Sequence, residues 1–446
     1  MRKSLFLLSF MVIFPIQASA EERLLTLKEA VSTAIANNPQ ITASKEIKSS
    51  SEFGVLMARS GFLPQMAATL SYSRLTLNQA DIPFAYVSAT GGTPLGQGLG
   101  QSDISSASYN NFVAQVSLNQ LIWDFGKTSG AYNSAKAGAR GADADLQTTL
   151  DDVHFSTIQS YFGVLAFQEA LRASLEVRTQ KQKHLELAQA QVEAGIRPKI
   201  DVTRALADLA QANLDVLRAK NSLQIEKVTL CTTMGLEGCG EYRVEKPEKS
   251  PPLPPFRSED SVKNALKKRP EYRSLNESIH VAEGQLYSAK SAYYPILAAS
   301  GSVNYTGYMI DDMVYNWVAG GTATWNFFSG LNTMNSVQQA NANIRTLKAN
   351  IADLELSIRL EIESAYLQFN EASEKMSPAK AMLDAARETL EMAEGRYAAG
   401  SGNIVEVTDA QATYIQSLSN MIETEHDLEV ATAKVIKSLG LLPQFR

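Results

Sequence analysis

The stretch AAGSGNIVEVTDA (Ala398–Ala410) has a twin, EAGIRPKIDVTRA (Glu193–Ala205), 205 residues upstream. In each, a glycine (Gly195 or Gly400) separates two runs with apolar residues at three- and four-residue spacing, which reads as the tight turn of a helical hairpin. The upstream run of the first copy is long. From Lys127 to about Val192 it is built of Ala, Gln, Leu, Glu and Lys, and no proline lies between Pro94 and Pro198. At about 1.5 Å per residue such a helix reaches about 100 Å, more than a compact domain holds. The second copy runs likewise from Asn332 to about Tyr397, and Tyr161 and Tyr366 fall at matching places. One difference is Pro378 in KMSPAK, where Ser377 is placed to cap a fresh helix, so a kink or break is expected there. Beyond each turn a helix of about 33 residues returns and closes at MGL (Met234–Leu236) or LGL (Leu439–Leu441).

Further out, a second pair of twins has a different spacing. ARSGFLP (Ala58–Pro64) matches AKSAYYP (Ala289–Pro295) at 231 residues, as do the proline-marked breaks NNPQ (Asn37–Gln40) and KRPEY (Lys268–Tyr272). TLKE at Thr26 to Glu29 makes a capping box for the first short helix. Between the two kinds of twin the periodicity changes from helical to alternating. Met66, Ala68, Leu70 and Tyr72 share one face; Phe112, Ala114, Val116 and Leu118 follow suit, then Leu297, Ala299, Val303 and Tyr305, then Trp317, Ala319 and Ala323. The opposite faces carry Ser, Thr, Asn and Gln. Each strand is about 10 residues long, and Trp123, Phe125, Trp325, Phe327 and Phe328 collect at one end, the pattern of a transmembrane β-barrel with a wet lumen and an aromatic girdle. The strands of a soluble sandwich alternate too. The 26 residues by which the spacings differ fall between the first two strands, in a glycine- and serine-rich loop, 78–110, without lysine or arginine. It reads as a cell-surface loop, either a plain insertion or a receptor for outside agents.

The organisation that results is a signal peptide (1–20), a first repeat (21–237) with its hairpin at 127–234, a proline-rich connector (238–257), and a second repeat (258–446) with its hairpin at 332–440. The leader has a basic start at Arg2 and Lys3, an apolar stretch from Leu5 to Ile16 and a small-residue cut site at Ala18-Ser19-Ala20. After it, no apolar run approaches the length of a membrane-spanning helix. Loss of Arg2 and Lys3 takes the net charge from −6 to −8, which disfavours nucleic acid as a partner. Export takes Cys231 and Cys239 out of the reducing cytosol, so they form a short bridge around Gly235 and Gly238 or remain free thiols.

These features, and above all RYAAGSGNIVEVTDAQATY (Arg396–Tyr414), resemble the TolC-like outer-membrane efflux protein family across essentially the whole mature chain. The resemblance implies a mainly α fold with a transmembrane β-barrel part: a homotrimer in which each protomer gives four strands to a twelve-stranded barrel in outer-membrane lipid, while the hairpins form an α-barrel tube. Four strands alone leave open edges in lipid, so oligomerisation follows from physics; the number three comes from the resemblance. It further implies an exit duct of an efflux or type I secretion system, whose tip docks on a periplasmic adaptor linked to an inner-membrane pump. Gly195, Ile196, Arg197, Gly400, Ser401, Gly402 and Asn403 would lie at that docking tip. Glu406 and Asp409 match carboxylates that constrict the entrance in some members, and Asp201 matches an aspartate that receives a latching arginine. That arginine position is Gly402 here. Glu406 also stands at capping-box spacing from Asn403, so gate and helix cap are both open readings.

An enzyme would need a convergent polar site, and His154, His184, His280 and His426 each stand alone in helical stretches and read as helix-surface residues. No cofactor or metal is expected; the methionines are scattered, and the acidic pair at Ile310 to Asp312 reads as a solvated turn. The competing class is a structural periplasmic coiled-coil protein without a pore, which leaves the strands and their aromatic ends unexplained.

Overall fold

The computed structural model describes residues 23–77, 107–195, 197–247 and 258–442. The leader, most of the 78–110 loop, Ile196 and part of the connector lie outside them. Two units divide the chain, one of Met1–Lys48, Ala142–Ser274 and Ile351–Arg446, the other of Ser49–Gly141 and Leu275–Asn350.

The second unit holds the sheet. Its strands, β2 (Gln65–Leu77), β3 (Ala107–Trp123), β5 (Ile296–Gly307) and β6 (Val314–Thr324), are antiparallel in the order β2-β3-β5-β6. The register aligns the apolar faces: Ala68 opposes Val116, Val116 opposes Val303, and Val303 opposes Trp317. One bulge, between Leu121 and Trp123, moves Trp123 opposite Leu297 and so onto the apolar face that strict alternation would deny it. β3 begins at Ala107, and Ser108 and Asn110 pair with Thr76 and Arg74, so residues 107–110 are strand rather than loop. Strands here run longer than the alternation alone marked.

In the same unit α2 (Pro39–Ser60) and α6 (Pro270–Ser291) contribute their later turns, and the long helices α3 (Lys127–Glu193) and α7 (Asn332–Ala398) contribute their starts. Asp124 opens α3: its carboxylate accepts the Gly126 and Thr128 N–H groups at 3.2 and 2.7 Å. Gly126, at φ 109°, fits because a Cβ there would stand 2.3 Å from the Tyr287 ring. One turn on, Gly130 and Gly284 let α3 and α6 touch backbone to backbone, a Cβ on either meeting the other's carbonyl oxygen at 2.6–2.7 Å.

The first unit is helical, with β1 (Arg23–Leu25) and β4 (Tyr242–Val244) as a small parallel pair. No alternation can be read in three residues, so periodicity does not announce this pair. Thr26 and Glu29 complete the capping box of α1 (Leu27–Asn37). Tyr161 of α3, fully buried, fixes the β pair: its hydroxyl donates between the carbonyls of Leu25 (2.9 Å) and Glu245 (2.7 Å) and accepts the Glu245 N–H at 3.2 Å. Burial pushes this phenol up to about 12. Its counterpart Tyr366 sits in an apolar cluster with Ile358, Ile362 and Val435 beside α5 (Ser258–Lys268). A third cluster joins the repeats, Val31, Ile158 and Phe162 meeting Ala433, Ile436 and Leu442. Cys231, in the last turn of α4 (Lys199–Thr233), is disulfide-bonded to Cys239 beyond it, Cα to Cα 5.9 Å.

Pro378 does not restart the helix. α7 continues through it, with Ala372, Ala379 and Ala386 buried on one face. Proline forfeits one backbone hydrogen bond, a cost of about 3 kcal/mol or more, and packing of that face on both sides holds the helix in one piece.

Candidate functional site at the hairpin turns

α3 ends at Gly195 (φ 72°) and α4 starts after Pro198; α7 ends at Gly400 (φ 78°) and α8 (Ile404–Ser438) starts after Asn403. Both glycines take the left-handed conformation that closes a helix. The second turn is closed by its own backbone. The N–H groups of Ser401 and Gly402 both reach the Arg396 carbonyl, at 3.0 and 2.9 Å, and a Cβ at Gly402 would stand 2.8 Å from the Tyr397 nitrogen. No side chain fits at 402 without moving the turn, which is the physical reason that an arginine cannot reach out from there.

The tie between the turns runs the other way. Arg197 of the first turn donates from Nη2 to the Gly402 carbonyl at 2.9 Å, and its guanidinium lies 5.2 Å from the centre of the Tyr397 ring. Arg197 and Gly402 are the same position of the repeat, 205 residues apart.

Of the three predicted gate carboxylates, Glu406 and Asp409 are exposed and Asp201 is buried. Glu406 faces Arg396 at 3.5 Å. The α8 cap is Asn403 alone, its Oδ1 accepting the Val405 N–H at 3.2 Å. Asp201 stands in the first turn of α4, where the helix dipole favours a carboxylate. Its charge, after burial, helps to raise the Tyr397 phenol. At the predicted docking positions, Gly195, Gly400, Ser401 and Asn403 are exposed, Arg197 is half-buried and Gly402 is buried.

Behind the turns the hairpins meet through polar groups that sequence reasoning missed. Each hairpin has its own small core: Leu185, Ala188 and Ala205 in the first, and Leu390, Ile404, Val407 and Tyr414 in the second. Within the first hairpin Lys181 pairs with Asp208 at 2.9 Å, and within the second Gln411 donates to Glu394 at 3.4 Å. The His184 and Tyr397 rings lie 5.4 Å apart, and neither His184 Nδ1 nor Tyr397 Oη, both buried, has a hydrogen-bond partner. The helix-surface reading suits His280, which pairs with Glu283 at 3.0 Å, but not His184, nor His154, which is 2% exposed. Lys181, His184 and Asp208 recur at helical spacing around the first turn, a signal that periodicity alone ranks below the apolar face.

At the sheet, Trp123 lies 6.1 Å from Phe125, Phe125 stacks on Tyr294 at 5.0 Å, and Trp325 lies 6.5 Å from Phe327. Trp325 donates from Nε1 to the Tyr293 carbonyl at 3.1 Å, so the aromatic group includes the tyrosines of AKSAYYP. Phe327 and Phe328 are 84% and 75% exposed, a surface that water does not favour. Among the described residues, no helix is long and apolar enough to cross a membrane, and no group of His, Cys, Asp or Glu could hold a metal ion.

Known proteins share this arrangement. The outer membrane efflux protein family matches residues 30–236 and 261–441, most of both repeats. The outer membrane protein TolC of Vibrio cholerae is 22% identical over 428 residues, 94% of this chain and 91% of that protein. Among solved structures, CusC superposes with a TM-score of 0.79 at 14% identity, covering 93% of this chain and 91% of that one. The outer membrane channel CmeC of Campylobacter jejuni gives 0.78 at 18% identity, covering 93% and 85%. The chain thus belongs to the outer membrane efflux protein family, as a protein of the Gram-negative outer membrane and not an enzyme.

Proposed function

We propose that the protein is the exit duct of a tripartite efflux or type I secretion system, a homotrimer whose strands close a twelve-stranded barrel in outer-membrane lipid. The observation that carries this reading is the sheet. β2 and β6 are both edges, every residue of β6 is exposed, and Leu70 and Trp317 are 85% and 66% exposed on the aligned apolar face. In lipid an open edge leaves backbone N–H and C=O groups unpaired, and only closure with further copies satisfies them. The aromatic cluster then sits at the lipid–water boundary.

The hairpin turns would form the periplasmic tip that docks on an adaptor and, through it, an inner-membrane pump. Exposed Gly195, Gly400, Ser401 and Asn403 offer backbone and small polar groups to a partner. In this chain the entrance would be held by two devices: Arg197 tying the first turn to the second, and three copies each of Glu406 and Asp409 repelling one another and attracting cations. Asp201, buried beside Tyr397, would support the tie rather than line the passage. Relatives bear names as different as nodulation protein T and cobalt-zinc-cadmium resistance protein CzcC, which supports a duct whose cargo is chosen by its pump.

Native mass spectrometry of the mature protein extracted in detergent tests this reading. The expected species is three chains, released from membranes only by detergent. A water-soluble species of any size would replace the duct with the pore-free structural alternative.

A further inference from the structure

We propose that His184 is a proton-sensitive joint between the two hairpins, packed while its imidazole is neutral and loosened when the imidazole takes a proton. The joint is built from four helices of one unit. His184 on α3 presses its ring at 5.4 Å against Tyr397 on α7, and Tyr397 is fully buried in the core of the second hairpin. The same histidine lines a void of about 10 Å³ together with Lys181, Asp208, Thr408 and Gln411, from α3, α4 and α8. That space is at the lower limit for one water, and among the described residues neither His184 Nδ1 nor Tyr397 Oη, both buried atoms, has a hydrogen-bond partner.

A neutral imidazole tolerates this; a cation does not. Protonated, Nδ1 becomes a buried N–H donor without an acceptor, on a ring that is half-buried and so only partly hydrated. The charged neighbours divide. Lys181 on the same helix opposes the proton, while Glu394 on α7 and Asp208 on α4 favour it; the α8 groups Thr408 and Gln411 are neutral. Asp208 is already bonded to Lys181 and Glu394 to Gln411, each within its own hairpin, and neither is hydrogen-bonded to the imidazole. Burial is the largest influence and holds the imidazole below the ordinary histidine value.

The sign follows by linkage. Hairpins that have separated expose His184 and let it titrate near the ordinary value of about 6.5. As pH falls through that value towards the depressed one, the separated form takes up a proton that the packed form refuses, so packing stability is present above about 6.5 and is lost on acidification. The matching position of the second repeat is Thr389, whose hydroxyl bonds its own helix at Ala385 O (2.8 Å). The device therefore belongs to one repeat only. Its consequence for opening the entrance rests on the duct reading; the joint itself does not.

Hydrogen exchange followed by mass spectrometry on the full detergent-purified protein, corrected for the intrinsic pH dependence of exchange, reads the joint without reference to conduction. Between about pH 7.5 and 5.5 the segments around His184, Tyr397 and Val407 should lose protection at least about threefold, while segments of β2 to β6 stay unchanged. His184→Gln keeps every carboxylate and should abolish the pH response; His184→Phe, which fills the same space, should do so with protection at or above wild type. Unchanged protection in the wild type, or an equal loss in both variants, overturns the proposal.

Discussion

Tyr161 and Tyr366 occupy matching positions in α3 and α7, and their surroundings differ in kind. Tyr161 holds together a parallel strand pair by three hydrogen bonds, whereas Tyr366 packs among Ile358, Ile362 and Val435. The same divergence recurs at the helix ends. Gly235 and Gly440 both have positive φ, yet only the first is spanned by a disulfide, and a Cβ would stand 2.6 Å from the Asn37 carbonyl oxygen at the first but no nearer than 3.1 Å to any atom at the second. At the turns the first repeat supplies the arginine and the second the glycine that accepts it. The repeats keep one backbone plan, set by glycine at the turns and apolar spacing along the helices, while the polar groups have been divided between them.

This comparison can be broken by substitution, and the largest effect is expected at Gly235. Gly235→Ala puts a Cβ 2.6 Å from Asn37 O at φ 73°, so it should destabilise by about 3 kcal/mol, combining left-handed strain with overpacking. Gly440→Ala meets Lys268 Cβ at 3.1 Å, a side-chain atom, and should cost about 1–2 kcal/mol. Equal falls in melting temperature would show that the two sites are alike after all. Next, Cys231→Ser with Cys239→Ser removes a short loop closure and should cost about 2–3 kcal/mol, read as a shift in the denaturant midpoint confined to the helical unit.

Tyr161→Phe sharpens the contrast of the tyrosines. It removes the hydroxyl from the Glu245 carbonyl and leaves the Glu245 N–H only its 3.3 Å bond to the Leu25 carbonyl, so a loss of about 1–2 kcal/mol is expected, with exchange of the Leu25 and Glu245 region speeding first. If β1 and β4 stay protected, Tyr161 is only a space-filler like its apolar neighbours. Smaller again is Arg197→Ala, a half-exposed hydrogen bond and ring contact worth about 1 kcal/mol to the tie itself, seen as faster exchange at both turns rather than as a change in melting. Glu406→Gln should alter stability by under about 1 kcal/mol, because its pairing with Arg396 is exposed.

Much of this was legible in the sequence, for stated physical reasons. The glycine turns, the long helices and the alternating strands follow from backbone sterics and from periods of 3.6 and 2, which single residues announce. β1 and β4 were not legible, since a three-residue strand has no period, and continuity of α7 through Pro378 depends on packing across neighbouring helices. The bulge at Leu121 to Trp123 changes which face a residue takes, and only register reveals it. At the turns, Gly402 was marked as the place where an arginine is lacking, but the return tie from Arg197 needed coordinates. His184 was set aside as a surface histidine because isolation in sequence says nothing of what stands opposite in space.

The central claim is that copies of this chain enclose a passage whose entrance is guarded by carboxylates, and the conductance of the detergent-purified mature protein in a planar bilayer tests it most directly. Discrete, cation-preferring channels are predicted, with larger conductance when Glu406→Ala and Asp409→Ala are combined. A folded, membrane-inserted oligomer that passes no current would contradict the account.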